Sequence, residues 1–215
     1  LAAFWLLMLI PGRDDPDQVR FMLSIYGQVL LPPLMGWIGA GLLLGDPCRE
    51  LLLTFRRPIW CAVLERLALL EATALATWAA LFAAAWALLL SGPWVQAAGD
   101  LGGSATRIFL SGMTTPMAFA GLGLWAALRL RSTLAGGLTV AAVWAGGLIF
   151  RRPLLSHRLG HIIHPCLLLE APESPLWLLN GLFLFFVTIV LAMLALRATG
   201  NEEVLLASAP AEEAA

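Results

Sequence analysis

Long apolar runs alternate along this chain with short polar breaks, and the run lengths predict the elements. Crossing a bilayer as a helix takes roughly 20 apolar residues. Residues 1–10 supply about half of that and predict the end of a first span. The polar turn PGRDDPDQVR follows at 11–20. Residues 21–44 carry no charge and predict a second span, broken at Pro32 and Pro33. A polar stretch at 46–60 precedes a third span over 71–90, with 61–70 leading into it. A Gly-rich loop is expected at 91–105 and a fourth span at 107–128. RLRS at 129–132 makes a tight connection to a fifth span over 133–150. The longest loop occupies 151–175, and a sixth span runs over 176–196. The acidic, Ala-rich residues 197–215 form a tail that is expected to fray. The predicted fold is all-α: a polytopic membrane helix bundle of about six transmembrane helices. Residues 1–196 form one transmembrane domain, and the first span is truncated. The chain opens at Leu1 inside an apolar run, so a preceding segment is expected. No signal peptide of the usual form is expected.

Composition strengthens the membrane assignment. Of 215 residues, 60% are hydrophobic and 13% charged, with a mean hydropathy of +0.85. Soluble domains carry about 25% charged residues, and a soluble fold of this size cannot hide so much apolar surface. A net charge of -1 gives no footing for nucleic acid. All 13 basic residues are arginine. The phosphate-binding loop GxxxxGK[ST] needs a lysine, so this chain cannot hold such an ATP site by itself. Cys48, Cys61 and Cys166 show no CxxC spacing, hence no disulfide framework or zinc knuckle. Six spans place both termini on one side. Taking that side as cytoplasmic puts Arg49, Arg56, Arg57, Arg66, Arg129, Arg131 and Arg197 inside, against Arg13, Arg20, Arg107, Arg151, Arg152 and Arg158 outside. The positive-inside rule leans the same way, giving a multi-pass cell-membrane protein with cytoplasmic termini.

Small residues recur at helical spacing: Ala72, Ala76, Ala80 and Ala84 on the third span, Gly41 and Gly45 on the second. They are expected at packing positions, since such ridges let helix backbones approach closely in lipid. Trp5, Trp60, Trp94 and Trp177 fall near span ends, as interfacial anchors do, whereas Trp78, Trp86, Trp125 and Trp144 fall deeper.

The stretch DPCRELLLTFRRPIW at 46–60 predicts a short helix over about 46–58. Asp46 suits the N-cap and Pro47 the first helical position. Cys48, Leu51, Leu52 and Phe55 then share one apolar stripe at i, i+3, i+4 and i+7, with Arg49, Glu50, Arg56 and Arg57 off it. Pro58 stops the helix or kinks it. So short a helix needs a surface to lie on. It can rest in the headgroup layer with its arginines on lipid phosphates, or dock into the groove of a soluble partner.

The run GDPCRELLLTFRRPIWCAVLERL at 45–67 resembles the segment after the second span in ABC-2 type transporter permeases. In that family an acidic residue, a Leu pair, a Thr and a Pro/Arg turn form a cytoplasmic coupling helix. Here those positions are Glu50, Leu51, Leu52, Thr54 and Arg56-Arg57-Pro58. The six-span layout fits, and HPCLLLEAPESPLWLLNGL at 164–182 resembles the family's extracellular re-entrant region. The resemblance implies a permease subunit, not an enzyme. A separate nucleotide-binding chain would bind ATP and Mg, and seat the coupling helix through Arg49, Glu50, Leu51, Leu52, Thr54, Phe55, Arg56 and Arg57. It also implies a second permease chain, identical or not, and no cofactor in this chain. The family's N-terminal elbow helix and most of the first span are absent from this sequence.

Three other constellations carry possible chemistry. SHRLGHIIHPC places His157, His161 and His164 at i, i+4 and i+7, with Cys166 beside them. On a continuous helix they would share a face and offer a zinc, copper or haem site. Gly160 and Pro165 interrupt such a helix, and a hydrated polar edge is the other reading. Glu65, Arg66 and Glu71 are expected at the entry to the third span, as a headgroup-level cluster or an ion or proton relay with Glu71 deepest. SGMTTP at 111–116 breaks the fourth span with a kink, which either is structural or faces a pathway. No Ser/His/Asp or Cys/His catalytic set is spaced in the sequence.

Overall fold

The computed structural model describes residues 16–44, 59–90, 98–171 and 174–199. Among these residues all regular structure is helical and there is no strand. Helix α1 (Pro16–Ile25) runs through a π-helical segment (Tyr26–Leu30) into α2 (Leu31–Leu44). Then follow α3 (Ile59–Leu90), α4 (Ala98–Leu130) and α5 (Thr133–Ile149). Three short helices, α6 (Arg151–Leu155), α7 (Arg158–Ile163) and α8 (Leu167–Glu170), precede α9 (Trp177–Thr199). Four stretches are long and apolar enough to cross a membrane: Gln18–Leu44, Ile59–Ala87, Ala105–Leu130 and Trp177–Thr199. Helix α5 is apolar but has 17 residues, about 25 Å at 1.5 Å per residue, against a hydrocarbon core of about 30 Å. The expected first span at 1–10 and the tail from 200 onward lie outside the described residues.

Pro32 and Pro33 do not end the second span. They widen it. Proline has no N–H, so the Val29 carbonyl loses its i+4 donor at Pro33 and next meets Leu34 at i+5. The backbone answers with i+5 bonding over Tyr26–Leu30, where the Leu31 N–H bonds to the Tyr26 carbonyl. The α-helix resumes at Leu31 with both prolines in its first turn.

The third span begins earlier than expected. Glu65, Arg66 and Glu71 all lie within one unbroken helix, α3, from Ile59 to Leu90. Leu, Ala, Glu and Arg are all good helix formers. Charge affects how deep such residues sit without interrupting the backbone. Glu71 therefore lies about 18 Å along the helix from Ile59, at 1.5 Å per residue, and not at its entry. Likewise, the loop expected at 91–105 is helical from Ala98, since glycines cost about 1 kcal/mol each and do not forbid a helix.

Helix α4 is the axis of the bundle and packs against α2, α5 and α9. The α2–α4 crossing is close because glycine faces backbone there. A Cβ on Gly123 would run into the Gly36 carbonyl, and one on Gly39 into the Ala120 carbonyl. These are close-packing positions, whereas most of the expected ridge is not, and Gly45 lies outside the described residues. Ala72, Ala76 and Ala80 are exposed on α3, and Gly41 has open space around it. The core gathers Tyr26, Leu31, Met35, Leu67, Trp78 and Leu124. Trp78 fits because Gly27 and Gly112 leave room for its ring, and its Nε1–H donates to the Phe109 carbonyl at 3.0 Å. Trp60 is exposed near the start of α3, and Arg107 sits 5.6 Å over the Trp177 ring. The outer surface carries Leu69, Ile149 and Phe186, each more than 60% exposed.

The RLRS connection is as tight as its length implies. Arg131 adopts φ 54°, and the Ser132 N–H reaches back to the Ala127 carbonyl at 3.1 Å, closing α4 in a Schellman turn. The Ser132 hydroxyl then caps α5 by accepting from the Ala135 N–H at 3.2 Å.

Candidate functional site

The segment between α5 and α9 folds inward, and the reason lies in the orphaned carbonyls of the second span. The Gln28 carbonyl has a proline at i+4 (Pro32) and another at i+5 (Pro33), so neither helix type can supply it a donor. Gln28 is 1% exposed, and its carbonyl accepts instead from the Cys166 thiol at 3.2 Å. The Gln28 side chain completes the joint. Its Nε2 donates to Ser111 Oγ at 2.6 Å, and its Oε1 accepts from the Leu169 N–H at 3.0 Å. One residue thus ties α4 and the short helices to the π-segment.

A second set of bonds fixes the chain just before Cys166. Thr115 Oγ1 donates to the Pro165 carbonyl at 3.1 Å. Asn180 Nδ2 donates to the Ile162 and His164 carbonyls at 2.7 and 2.9 Å, satisfying the end of α7. Pro165 sits against Gly147, where a Cβ would clash. Cys166 and His164 are fully buried. Burial pushes the Cys166 thiol up to about 12, with the Glu170 charge adding to it. It therefore serves as a protonated donor, not as a nucleophile. Burial also holds His164 below its ordinary value, against the Gly147 carbonyl and the Glu170 carboxylate, which favour the charged ring. His164 Nδ1 accepts from the Cys166 N–H at 3.1 Å, which leaves the proton of the neutral ring on Nε2. That atom is buried, and the Gly147 carbonyl near the ring does not meet hydrogen-bond geometry with it.

The other face of the same α4 stretch borders a cavity. In SGMTTP, Ser111 and Thr115 face the joint just described. Gly112, Met113, Pro116 and Met117 line the cavity, which Leu31 and the α3 residues Glu71, Ala72, Ala74, Leu75 and Trp78 complete. Its volume is about 100 Å³, and it is partly open at Ala72 and Leu75. Both Glu71 carboxylate oxygens are buried without a hydrogen-bond partner.

The histidines do not converge. Helix α7 covers only Arg158–Ile163, so His157 and His164 flank it and only His161 lies within it. His161 Nε2 meets the Leu155 carbonyl at 2.9 Å and Nδ1 meets Ser174 Oγ at 3.0 Å. A carbonyl can only accept, so Nε2 carries the proton, and both nitrogens are engaged. Gly160 permits this turn, since a Cβ there would strike the Leu154 carbonyl. Among the described residues no three His, Cys, Asp or Glu side chains gather as metal ligands would. The predicted coupling residues Arg49, Glu50, Leu51, Leu52, Thr54, Phe55, Arg56 and Arg57 lie outside the described residues. Gln28 and Asn180 were not singled out by sequence reasoning. The signal was present: each is a lone amide inside a long uncharged apolar run, where a polar side chain points into a bundle and not toward lipid.

The chain matches no protein-family model, no curated protein and no solved structure.

Proposed function

We propose that this chain is the membrane-spanning permease subunit of an ABC-2 type transporter, moving its substrate with energy from a separate ATPase chain. One structural observation carries the reading. The segment between the last two long helices is neither an open loop nor a metal-binding hairpin. It is a string of short helices tucked into the bundle, with His164 and Cys166 fully buried. Irregular backbone of this kind is tolerated at membrane depth only where protein satisfies its polar groups. Gln28, Thr115 and Asn180 satisfy several of them here. The resemblance of 164–182 to a re-entrant region and of 45–67 to a coupling segment points the same way. The apolar outer surface and the absence of lysine fit a multi-pass subunit whose ATP and Mg are held by another chain. In this reading both termini are cytoplasmic, residues 46–58 seat in the ATPase, and a second permease chain completes the pathway. ATP drives transport by favouring one arrangement of the spans through differential binding.

Affinity purification from native membranes tests the proposal. An ATPase chain bearing GxxxxGK[ST] should co-purify, and the charge reversals Glu50→Arg and Arg56→Glu should release it while the protein stays in the membrane. Purification of the intact chain with no nucleotide-hydrolysing partner, or labelling that places Arg49 and Arg57 outside the cell, refutes it.

A further inference from the structure

The unpartnered carboxylate of Glu71 has no part in ATP-driven coupling through residues 46–58, and the structure surrounds it in a specific way. Both oxygens are buried in a cavity of about 100 Å³ whose remaining lining is aliphatic, thioether, indole, proline and glycine. Nothing on that lining donates a hydrogen bond to the carboxylate. The charged and titratable side chains on the packed elements do not line the cavity: Arg20 and Tyr26 on the α1 side, Glu65 and Arg66 on α3, Arg107 and Arg129 on α4, Arg197 on α9. An ionised carboxylate held so, without counter-charge or donor, is among the costliest groups a bundle can carry. A metal cation would need several oxygen ligands, and one carboxylate does not supply them. A proton needs only the carboxylate.

We propose that Glu71 and the cavity between α2, α3 and the Pro116 turn of α4 form a proton-binding site. The carboxyl group is carried neutral in the arrangement described here. It exchanges its proton when movement of α4 admits water to a space with room for about three water molecules. Proton occupancy and bundle arrangement are then linked: water entry favours the ionised form, and closure favours the acid. The inference rests on the membrane-embedding part of the proposed function and not on its ATPase part.

Dicyclohexylcarbodiimide supplies the test. A protonated carboxyl adds across a C=N bond of this apolar reagent, and the O-acylisourea rearranges to a stable N-acylurea with no leaving group. The full-length chain in alkali-washed membranes is labelled at about pH 7, where ordinary carboxyls are almost wholly ionised, and adducts are mapped by mass spectrometry. Glu71 should be modified at least about tenfold more than Glu65 or Glu170. Its labelling should fall as pH rises, persist at high sodium, and vanish in Glu71→Gln. The Gln variant, an isostere of the neutral acid, should remain in the membrane with an unchanged melting temperature. Should that variant misfold, the residue-resolved adduct yield in the unaltered protein still decides. Labelling of Glu71 no greater than that of Glu65, pH-independent labelling, or protection by sodium overturns the proposal. Loss of the chain from alkali-washed membranes would instead overturn the membrane reading, so the two failures are separable.

Discussion

If the Cys166 thiol is present to satisfy a carbonyl that Pro32 and Pro33 have orphaned, then Cys166→Ala should be costly only while those prolines remain. The side chain is fully buried and donates to the Gln28 carbonyl at 3.2 Å. Losing the sulfur from a packed site costs about 1 kcal/mol in apolar burial. Leaving a buried carbonyl unsatisfied costs about 1–3 kcal/mol more. The single variant should therefore lose about 2–4 kcal/mol, whereas Cys166→Ser keeps a donor and should lose less. In a Pro32→Ala/Pro33→Ala background, backbone N–H groups return at i+4 and i+5 from Gln28. The second term should then disappear, and Cys166→Ala should cost only about 1 kcal/mol. The coupling energy is thus about 1–3 kcal/mol, with the helix donors and the thiol acting as substitutes for one another. Denaturation of the four proteins in detergent, followed by tryptophan fluorescence, measures it. Additivity within about 0.5 kcal/mol would refute the assignment of the thiol to that carbonyl.

Other outcomes follow from the same packing. Gly123→Ala should separate α2 from α4 and cost about 3 kcal/mol or more in melting experiments, because the new Cβ meets the Gly36 carbonyl. Gly41→Ala, which meets nothing within 4 Å, is its matched control. Arg131→Gly should stabilise by about 0.5–1 kcal/mol in the same assay, since the residue holds φ 54° at the end of α4. Acid should loosen the inward-folded segment through His164. Its folded-state value lies below the ordinary 6.5, so below that pH the unfolded chain binds the extra proton. Stability from this residue is complete above about 6.5 and is lost as pH falls beneath it, by at most about 1.4 kcal/mol per pH unit. Trypsin cleavage at exposed Arg158 should accelerate accordingly. A His164→Gln variant should lose that acid response.

The helices were legible because the signal is long: four stretches of 23 to 29 residues match four of the predicted spans to within a turn or two at most ends. Their internal chemistry was less legible. The pair Pro32-Pro33 announces a disturbance, but sequence alone does not say whether the helix ends, bends or widens. That depends on whether a neighbour can take the orphaned carbonyl, and the neighbour, Cys166, is 138 residues away. Helical spacing of the histidines suggested a shared face. Gly160 and the backbone that packs against it decided otherwise, and that contact, with Leu154, is tertiary. Ala76 and Ala80 show the reverse failure: the pattern permits close packing, yet both are exposed. Small residues state where a neighbour fits, not that one is present.

The stretch 111–117 joins the two halves of the functional argument, because helical periodicity gives it two faces. Ser111 and Thr115, four apart, hold the inward-folded segment through Gln28 and the Pro165 carbonyl. Gly112 and Pro116, also four apart, wall the Glu71 cavity. A rotation or bend of α4 at Pro116 cannot move one face without the other, so any arrangement that opens the cavity to water must also strain or exchange the bonds holding the short helices. Such coupling needs no chain of side chains between two distant sites, since both sites bias the same element. It also predicts reciprocity. Weakening the Ser111 face with Ser111→Ala should make proton exchange at Glu71 easier, read as carbodiimide labelling that disappears at lower pH. Neutralising the carboxylate with Glu71→Gln should in turn slow trypsin cleavage at Arg158. If either variant leaves the other face unmoved while the protein stays folded, α4 is static around Pro116 and the two sites are independent.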